Sequence, residues 1–299
     1  MVNFLLLGIC FLLGILLRKF KRMPDETPAV LNSFIIHVSL PALTILHIHN
    51  VQISYGILIP ISMAWLLFGF AVLIFRWMGS KLNWSRSITG CMILVCGLGN
   101  TSFLGLPMIE VFFGKEGIPT GLIIDQIGSF LVLSTLGIFT ASYYSGSKFD
   151  RRTVLKRVVT FPPFISIVIA FLLLPLDYPQ VLVSILEKLG STLTPLALVS
   201  VGFQMRLTHF NTHKLELAIG LLFKLILAPA ALYVAYFFIT QERGLIFDVT
   251  IFEAAMPPMI TAAIVATEYK LNKELAAMLV GIGIVLSFLT LTLWWMFLV

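Results

Sequence analysis

Ten apolar stretches follow one another through this chain, and almost no residues are left between them. They run over 2–17, 29–49, 55–78, 87–113, 118–142, 158–176, 179–205, 214–240, 246–268 and 274–298. A helix needs about 20 mostly apolar residues to cross a bilayer, and these stretches fit or approach that length. The composition agrees: 59% of residues are hydrophobic, 11% are charged and the mean hydropathy is +1.02. A soluble domain carries roughly 45–50% apolar and about 25% charged residues. The expected fold is an all-α integral membrane protein of ten transmembrane helices. The first stretch, "VNFLLLGICFLLGILL", has no basic residues before it and no small-residue cleavage site after it. It reads as a retained span rather than a signal peptide.

Lys and Arg set the orientation, because cytoplasmic loops collect them. The odd-numbered loops carry Arg18, Lys19, Lys21 and Arg22; Arg76, Lys81 and Arg86; Lys148, Arg151, Arg152, Lys156 and Arg157; Arg206 and Lys214; and Lys270 and Lys273. The even-numbered loops carry only Lys115 and Arg243, a division of sixteen to two. The odd loops are therefore expected in the cytoplasm and both termini outside, in a multi-pass protein of the cell inner (plasma) membrane. The net charge of +6 is accounted for by these loops and implies no nucleic-acid partner.

The longest polar connection, "YYSGSKFDRRTVLKR" at 143–157, divides the spans into two sets of five. An odd number per set inverts the second half relative to the first, the plan of many secondary transporters. The expected organisation is a first five-helix repeat at 1–142, a cytoplasmic linker at 143–157 and an inverted second repeat at 158–299. The halves share punctuation: span two has Pro41 and span seven Pro195, with "GLGNTSFLGLP" (97–107) in span four and "AAMPPMITAA" (254–263) in span nine. Pro41 to Gly99 is 58 residues and Pro195 to Pro257 is 62.

These last two motifs place poor helix formers where a helix is most needed. Gly97, Gly99, Asn100 and Gly105 weaken span four, and Pro257 and Pro258 remove two donors from span nine. Freed backbone groups at mid-membrane are tolerated only where protein or a polar cavity surrounds them. The segments starting near Thr101 and Met259 would present helix N-termini, which favour anions. Those ending near Gly99 and Met256 would present carbonyls, which favour cations or donors. The candidate substrate-binding residues are Gly99, Asn100, Thr101, Ser102, Pro257, Pro258 and Thr261. The competing reading is a pair of kinked structural helices, since Gly and Pro are common in membrane helices.

Ionisable residues inside spans are costly and mark function by default. Asp125 and its neighbour Gln126 lie in span five, Glu253 in span nine one turn before Pro257, and Lys224 near the middle of span eight. These four form the candidate coupling site, for H+ or Na+. Lys224 reads equally as a counter-ion to Asp125 or Glu253 or as a direct anion ligand. Asp125 reads as a proton carrier or as half of a permanent salt bridge. Glu110, Glu187 and Lys188 lie near outer span ends, where they can snorkel or pair locally. His37 reads as a hydrogen-bonded core histidine, and His47 and His49 are placed at the outer interface. Cys10, Cys91 and Cys96 have no ligand spacing and read as apolar filler.

The motifs "GLGNTSFLGLPMIEVFFGKEG" (97–117), "LIIDQIGSF" (122–130), "LPALTIL" (40–46) and "AAMPPMITAAIVATEY" (254–269) resemble those of the auxin efflux carrier family. The resemblance covers the whole chain. It implies a fold similar to bile acid–sodium symporters, with spans 1, 2, 6 and 7 as scaffold and spans 3–5 and 8–10 as a mobile transport domain. It implies elevator-type transport of organic anions, auxin in plants and small carboxylates such as malonate, malate or lactate in bacteria, by a homodimer joined through the scaffold. The family's crossover asparagine falls on Asn100 and its crossover proline on Pro257. Plant members place a proline before that asparagine where this chain has Gly99, so aromatic-auxin specificity is not supported. The long plant cytoplasmic insertion is absent, and the economy of the loops suits a bacterial member.

The first function expected is thus secondary transport of small organic anions. The alternative is a sodium-coupled symporter of larger amphipathic anions of bile-acid type. An intramembrane enzyme would need clustered Asp, Ser–His or metal spacing, and the sequence has none; no cofactor is expected. No G-x-x-x-x-G-K-[ST] loop is present to support ATP-driven pumping.

The sixteen-to-two division generates a direct test. In a background lacking the native cysteines, Ser147→Cys is expected to stay unlabelled by an impermeant thiol reagent in intact cells, and Val299→Cys to be labelled. The reverse pattern would overturn the topology.

Overall fold

The computed structural model describes residues 2–48, 55–147, 149–205, 213–240 and 243–299; His49, Lys148 and Arg206, named above, lie outside the described residues. Every regular element among the described residues is a helix, and the one extended feature is an isolated antiparallel bridge between Gly99 and Pro258. Among the described residues six helices are long and apolar enough to cross a bilayer: Thr27–Ile48, Leu58–Lys81, Lys115–Ser145, Gln180–Gln204, Lys214–Ile239 and Lys273–Leu298. Arg151–Val159 and Pro162–Leu172 add a seventh if counted as one span. The other expected spans hold shorter pieces: Val2–Lys19, Arg86–Cys96 with Thr101–Phe113, and Leu245–Ala254 with Ile260–Glu268. The Gly- and Pro-rich motifs divide the last two, which is why neither yields one long helix.

Local chemistry marks the helix ends. Ser85 accepts from the Ile88 N–H at 3.2 Å and Asn272 from the Leu275 N–H at 2.9 Å, each satisfying one orphan donor of a first turn. Gly146, at φ 75°, closes the long helix before the central loop in the left-handed region open to glycine. Beyond it, Asp150 accepts from the Thr153 hydroxyl and the Arg152 N–H. These bonds, Thr153 first, hold its carboxyl below the usual carboxylate range. Apolar side chains cover the outside: Leu73 is 69%, Val181 72% and Phe238 74% exposed. Such faces would be a liability in water and cost nothing against lipid tails.

The described residues fall into two compact units. The first draws on Met1–Tyr55, Ser102–Leu122 and Arg157–Met205. Its tightest contact is the crossing of Val2–Lys19 with Leu193–Gln204. A Cβ on Gly14 would stand 2.2 Å from the Val199 carbonyl oxygen, and one on Gly202 would stand 2.1 Å from that of Phe11. Arg18 donates to the Phe203 and Met205 carbonyls at 3.3 and 2.9 Å, satisfying acceptors at the end of the second helix. Polar pairs complete this unit: Ser200 donates to Asn32 at 2.6 Å, and the Ser39 and Thr192 hydroxyls lie 2.7 Å apart. Glu110 accepts from Thr194 at 2.6 Å, and Glu187 faces Lys115 at 3.9 Å, so both acids pair locally.

The second unit draws on Gly56–Thr101, Ile123–Lys156 and Arg206–Val299. Its core is the helix Arg86–Cys96, whose Met92, Ile93 and Leu94 are fully buried. Gly97 lies against Phe68 and Ala71, and Gly220 against Met92, Cys96 and Leu279. The Ser62 hydroxyl meets that of Tyr236 at 2.7 Å.

Among the described residues five wide, π-helical turns interrupt the helices, at Ile35–Ser39, Thr101–Gly105, Ile124–Ser129, Leu133–Gly137 and Phe223–Leu227. Such turns shift the register of the side chains that follow and recur at functional positions. Three of them carry candidate site residues: Thr101 and Ser102, Asp125 and Gln126, and Lys224.

The glycine crossing sets a stability prediction. Gly14→Ala and Gly202→Ala each force a methyl into a backbone carbonyl and should cost about 1–3 kcal/mol by overpacking. Gly8, in the same first helix, has nothing within 4 Å of its Cβ position, and Gly8→Ala should leave stability unchanged or raised. Thermal melting of the three purified variants is the measurement. Equal melting temperatures in all three would refute the close packing.

Candidate functional site

The candidate site is built where two helices stop in the second unit. Arg86–Cys96 ends as Gly97 donates to the Ile93 carbonyl at 2.9 Å. Leu245–Ala254 ends as the Ala255 N–H is shared between the Ile251 and Phe252 carbonyls, both at 3.1 Å. The extended residues that follow each stop run antiparallel and pair. The Asn100 N–H donates to the Pro257 carbonyl at 2.9 Å, and the Met259 N–H to the Leu98 carbonyl at 3.1 Å. Gly99 and Pro258 face each other between these two bonds, in the position where neither N–H enters the ladder. Pro258 therefore loses nothing by lacking one. Pro257 cannot return a bond to the Asn100 carbonyl, so the ladder stops at two bonds. A Cβ on Gly283 would meet the Pro258 ring at 2.7 Å, so Lys273–Leu298 packs directly on the crossing.

Polar side chains gather at this crossing. Lys224, wholly buried, donates from Nζ to the Ala254 carbonyl at 2.6 Å. That carbonyl belongs to the last residue of Leu245–Ala254, so the ammonium caps the negative end of a helix dipole. A Cβ on Gly99 would stand 3.4 Å from the same Nζ and 3.4 Å from the Glu253 carbonyl oxygen. The Thr101 hydroxyl donates to Asp125 Oδ1 at 2.7 Å, with both side chains buried. Gln126, next to Asp125, is buried as well.

Two side chains keep open valences. Asn100 is 2% exposed and its Nδ2 has no hydrogen-bond partner. Glu253 is fully buried, and neither carboxylate oxygen has one. Its electrostatic neighbours are Asp125 and Lys224. Buried groups of this kind are ordinarily satisfied, so two at one place call for a ligand or a proton.

Of the residues expected from the sequence, the structure brings Gly99, Asn100, Pro257 and Pro258 into one backbone crossing, with Thr101, Asp125, Lys224 and Glu253 around it. Thr261 lies in the first turn of Ile260–Glu268 and Ser102 in the wide turn Thr101–Gly105; Ser102 belongs to the first unit. The Ala254 carbonyl escaped the sequence reading. A buried lysine and a helix stop near Ala254 were both legible, but nothing in the sequence paired them across 30 residues.

The family described as "Membrane transport protein" matches residues 2–295. A protein of the archaeon Methanothermobacter thermautotrophicus, named an uncharacterized transporter, is 28% identical over 298 residues, covering 96% of this chain and 94% of its own. The uncharacterized transporter MJ1031 of Methanocaldococcus jannaschii is 28% identical over 302 residues, covering 97% and 96%. Both relatives are archaeal and equally short, so economy of length does not separate a bacterial member from an archaeal one. The expected kinship extends over nearly the whole chain, which belongs to the membrane transport protein family, that of the auxin efflux carriers.

Proposed function

We propose that this protein is a secondary transporter of small organic anions, mono- or dicarboxylates or auxin-like acids, whose carboxylate binds at the crossing of the two broken helices. The observation that carries the reading is the unpartnered, buried Asn100 amide beside the Gly99–Pro258 bridge. An amide N–H with no acceptor, at the start of a helix, is a ready donor to a carboxylate. The N–H groups opening Thr101–Phe113 and Ile260–Glu268 add about half a positive charge each. Thr261 and, next along the chain, Ser102 would supply hydroxyl donors, and Thr101, whose one hydroxyl proton goes to Asp125, would supply its backbone N–H. In this reading ten spans form two inverted five-helix repeats, 1–142 and 158–299, with a cytoplasmic linker at 143–157. Both termini lie outside the inner membrane. Spans 3–5 and 8–10 move as an elevator against a scaffold of spans 1, 2, 6 and 7, which also joins a homodimer. Uptake of a proton or a sodium ion at Asp125 or Glu253 balances the charge.

Hydrogen bonds to a charged group are worth roughly 1.5–3 kcal/mol, so Asn100→Ala should weaken binding about ten- to a hundredfold. Pro257→Ala should weaken it by restoring one backbone donor to span nine and disturbing the break, with Pro258 still in place. Calorimetry of folded, monodisperse variants against malonate, malate, lactate and indole acetate is the test, and wild-type affinity in both variants would move the site elsewhere. Binding confined to bile-acid-type anions in sodium would favour the alternative symporter.

Coupling is tested in proteoliposomes. Asp125→Asn or Glu253→Gln should make transport indifferent to pH or to sodium. Unchanged rates and unchanged ion dependence in both variants would exclude both carboxyls.

A further inference from the structure

We propose that Lys224 is a tethered cation, filling with its own ammonium the position at the crossing that a free coupling cation would otherwise take. The proposal rests on reading the crossing as the transport site and narrows the choice of coupling ion there.

Three features of the crossing combine. The end of a broken helix presents carbonyls with a partial negative charge, and Lys224 Nζ donates to the last of them, Ala254 O, at 2.6 Å. A fully buried carboxylate, Glu253, stands next in the chain to that carbonyl with both oxygens free of hydrogen bonds. The facing segment has glycine at 99, and even a Cβ there would stand at an ordinary contact distance of 3.4 Å from Nζ, so no side chain crowds the position. A backbone carbonyl, a buried carboxylate next to it in the chain and room for an ion are elements of a monovalent-cation site built from oxygen ligands. Here an ammonium holds the position at the carbonyl. Lys224 reaches it from the wide turn Phe223–Leu227, in a different helix from those that break.

The charges around it follow from the elements packed there. Asp125 faces Glu253 from the turn Ile124–Ser129, bonded to the Thr101 hydroxyl, and Cys96 faces Lys224 from the end of Arg86–Cys96. Two carboxyls against one ammonium leave one carboxyl to be neutralised. With the cation position already filled, a proton on Glu253 or Asp125 does this and a sodium ion does not.

The test needs no organic anion, so a failed binding experiment on Asn100 leaves it untouched. Purified full-length protein is melted in sodium, in methylammonium and in N-methylglucamine at equal ionic strength. The wild type should melt at one temperature in all three. Lys224→Ala should melt lower in N-methylglucamine and recover by about 3 °C or more in sodium or methylammonium, which enter the vacated position. The double variant Lys224→Ala/Glu253→Gln should lose that recovery. Lys224→Gln keeps a donor for Ala254 and serves as the second variant should Lys224→Ala aggregate; it too should gain stability from sodium. Sodium stabilisation of the wild type over N-methylglucamine would overturn the proposal. So would a Lys224 variant that is folded and indifferent to both small cations.

Discussion

Two backbone hydrogen bonds carry this architecture. Breaking a helix inside a bilayer strips N–H and C=O groups of their partners, and each one left bare costs several kcal/mol. The chain breaks two helices and lets the stripped segments satisfy each other, Asn100 N–H to Pro257 C=O and Met259 N–H to Leu98 C=O. Neither break is tenable without the other. Gly99 and Pro258 fit between the bonds because that position asks for no N–H.

Once the crossing exists, it needs charge. A helix that ends in the protein interior leaves its dipole uncompensated, and the chain answers with Lys224. An ammonium removed from water is tolerable only with close partners. Its partners are the Ala254 carbonyl and, through space, Glu253, which in turn shares its surroundings with Asp125. Thr101 holds Asp125 from the first residue after the break. The polar cluster is thus a consequence of the bridge: each charged group answers a backbone group that the break exposed or a charge that answered one.

The breaks were legible in the sequence because they are local chemistry. Three glycines and an asparagine in one span and two prolines in another cannot be read as ordinary helix. Asp125, Glu253 and Lys224 were legible for a similar reason, as charges inside apolar runs. The pairing was not. Nothing local tells Asn100 that its acceptor is Pro257, or tells Lys224 that its acceptor is a backbone carbonyl rather than a carboxylate. The wide turns at Thr101, Ile124 and Phe223 were not legible either, since nothing in their residues separates a wide turn from an ordinary helical one or from a simple break. Two of the apolar stretches yield no long helix because the motifs that announced the breaks also cut them into short pieces.

The glycine crossing of Val2–Lys19 with Leu193–Gln204 bears on how the protein is made. The two helices meet backbone to backbone, yet Arg18 and its acceptor Phe203 are 185 residues apart in the chain. At a synthesis rate of about 5–20 residues per second, the first helix waits roughly 10–40 s for its partner to leave the ribosome. During that interval its glycine face meets lipid or the insertion machinery, and any helix with a matching small-residue stripe can occupy it. The order of translation thus makes the first helix a late-assembling part of the molecule, although it is the first to enter the bilayer.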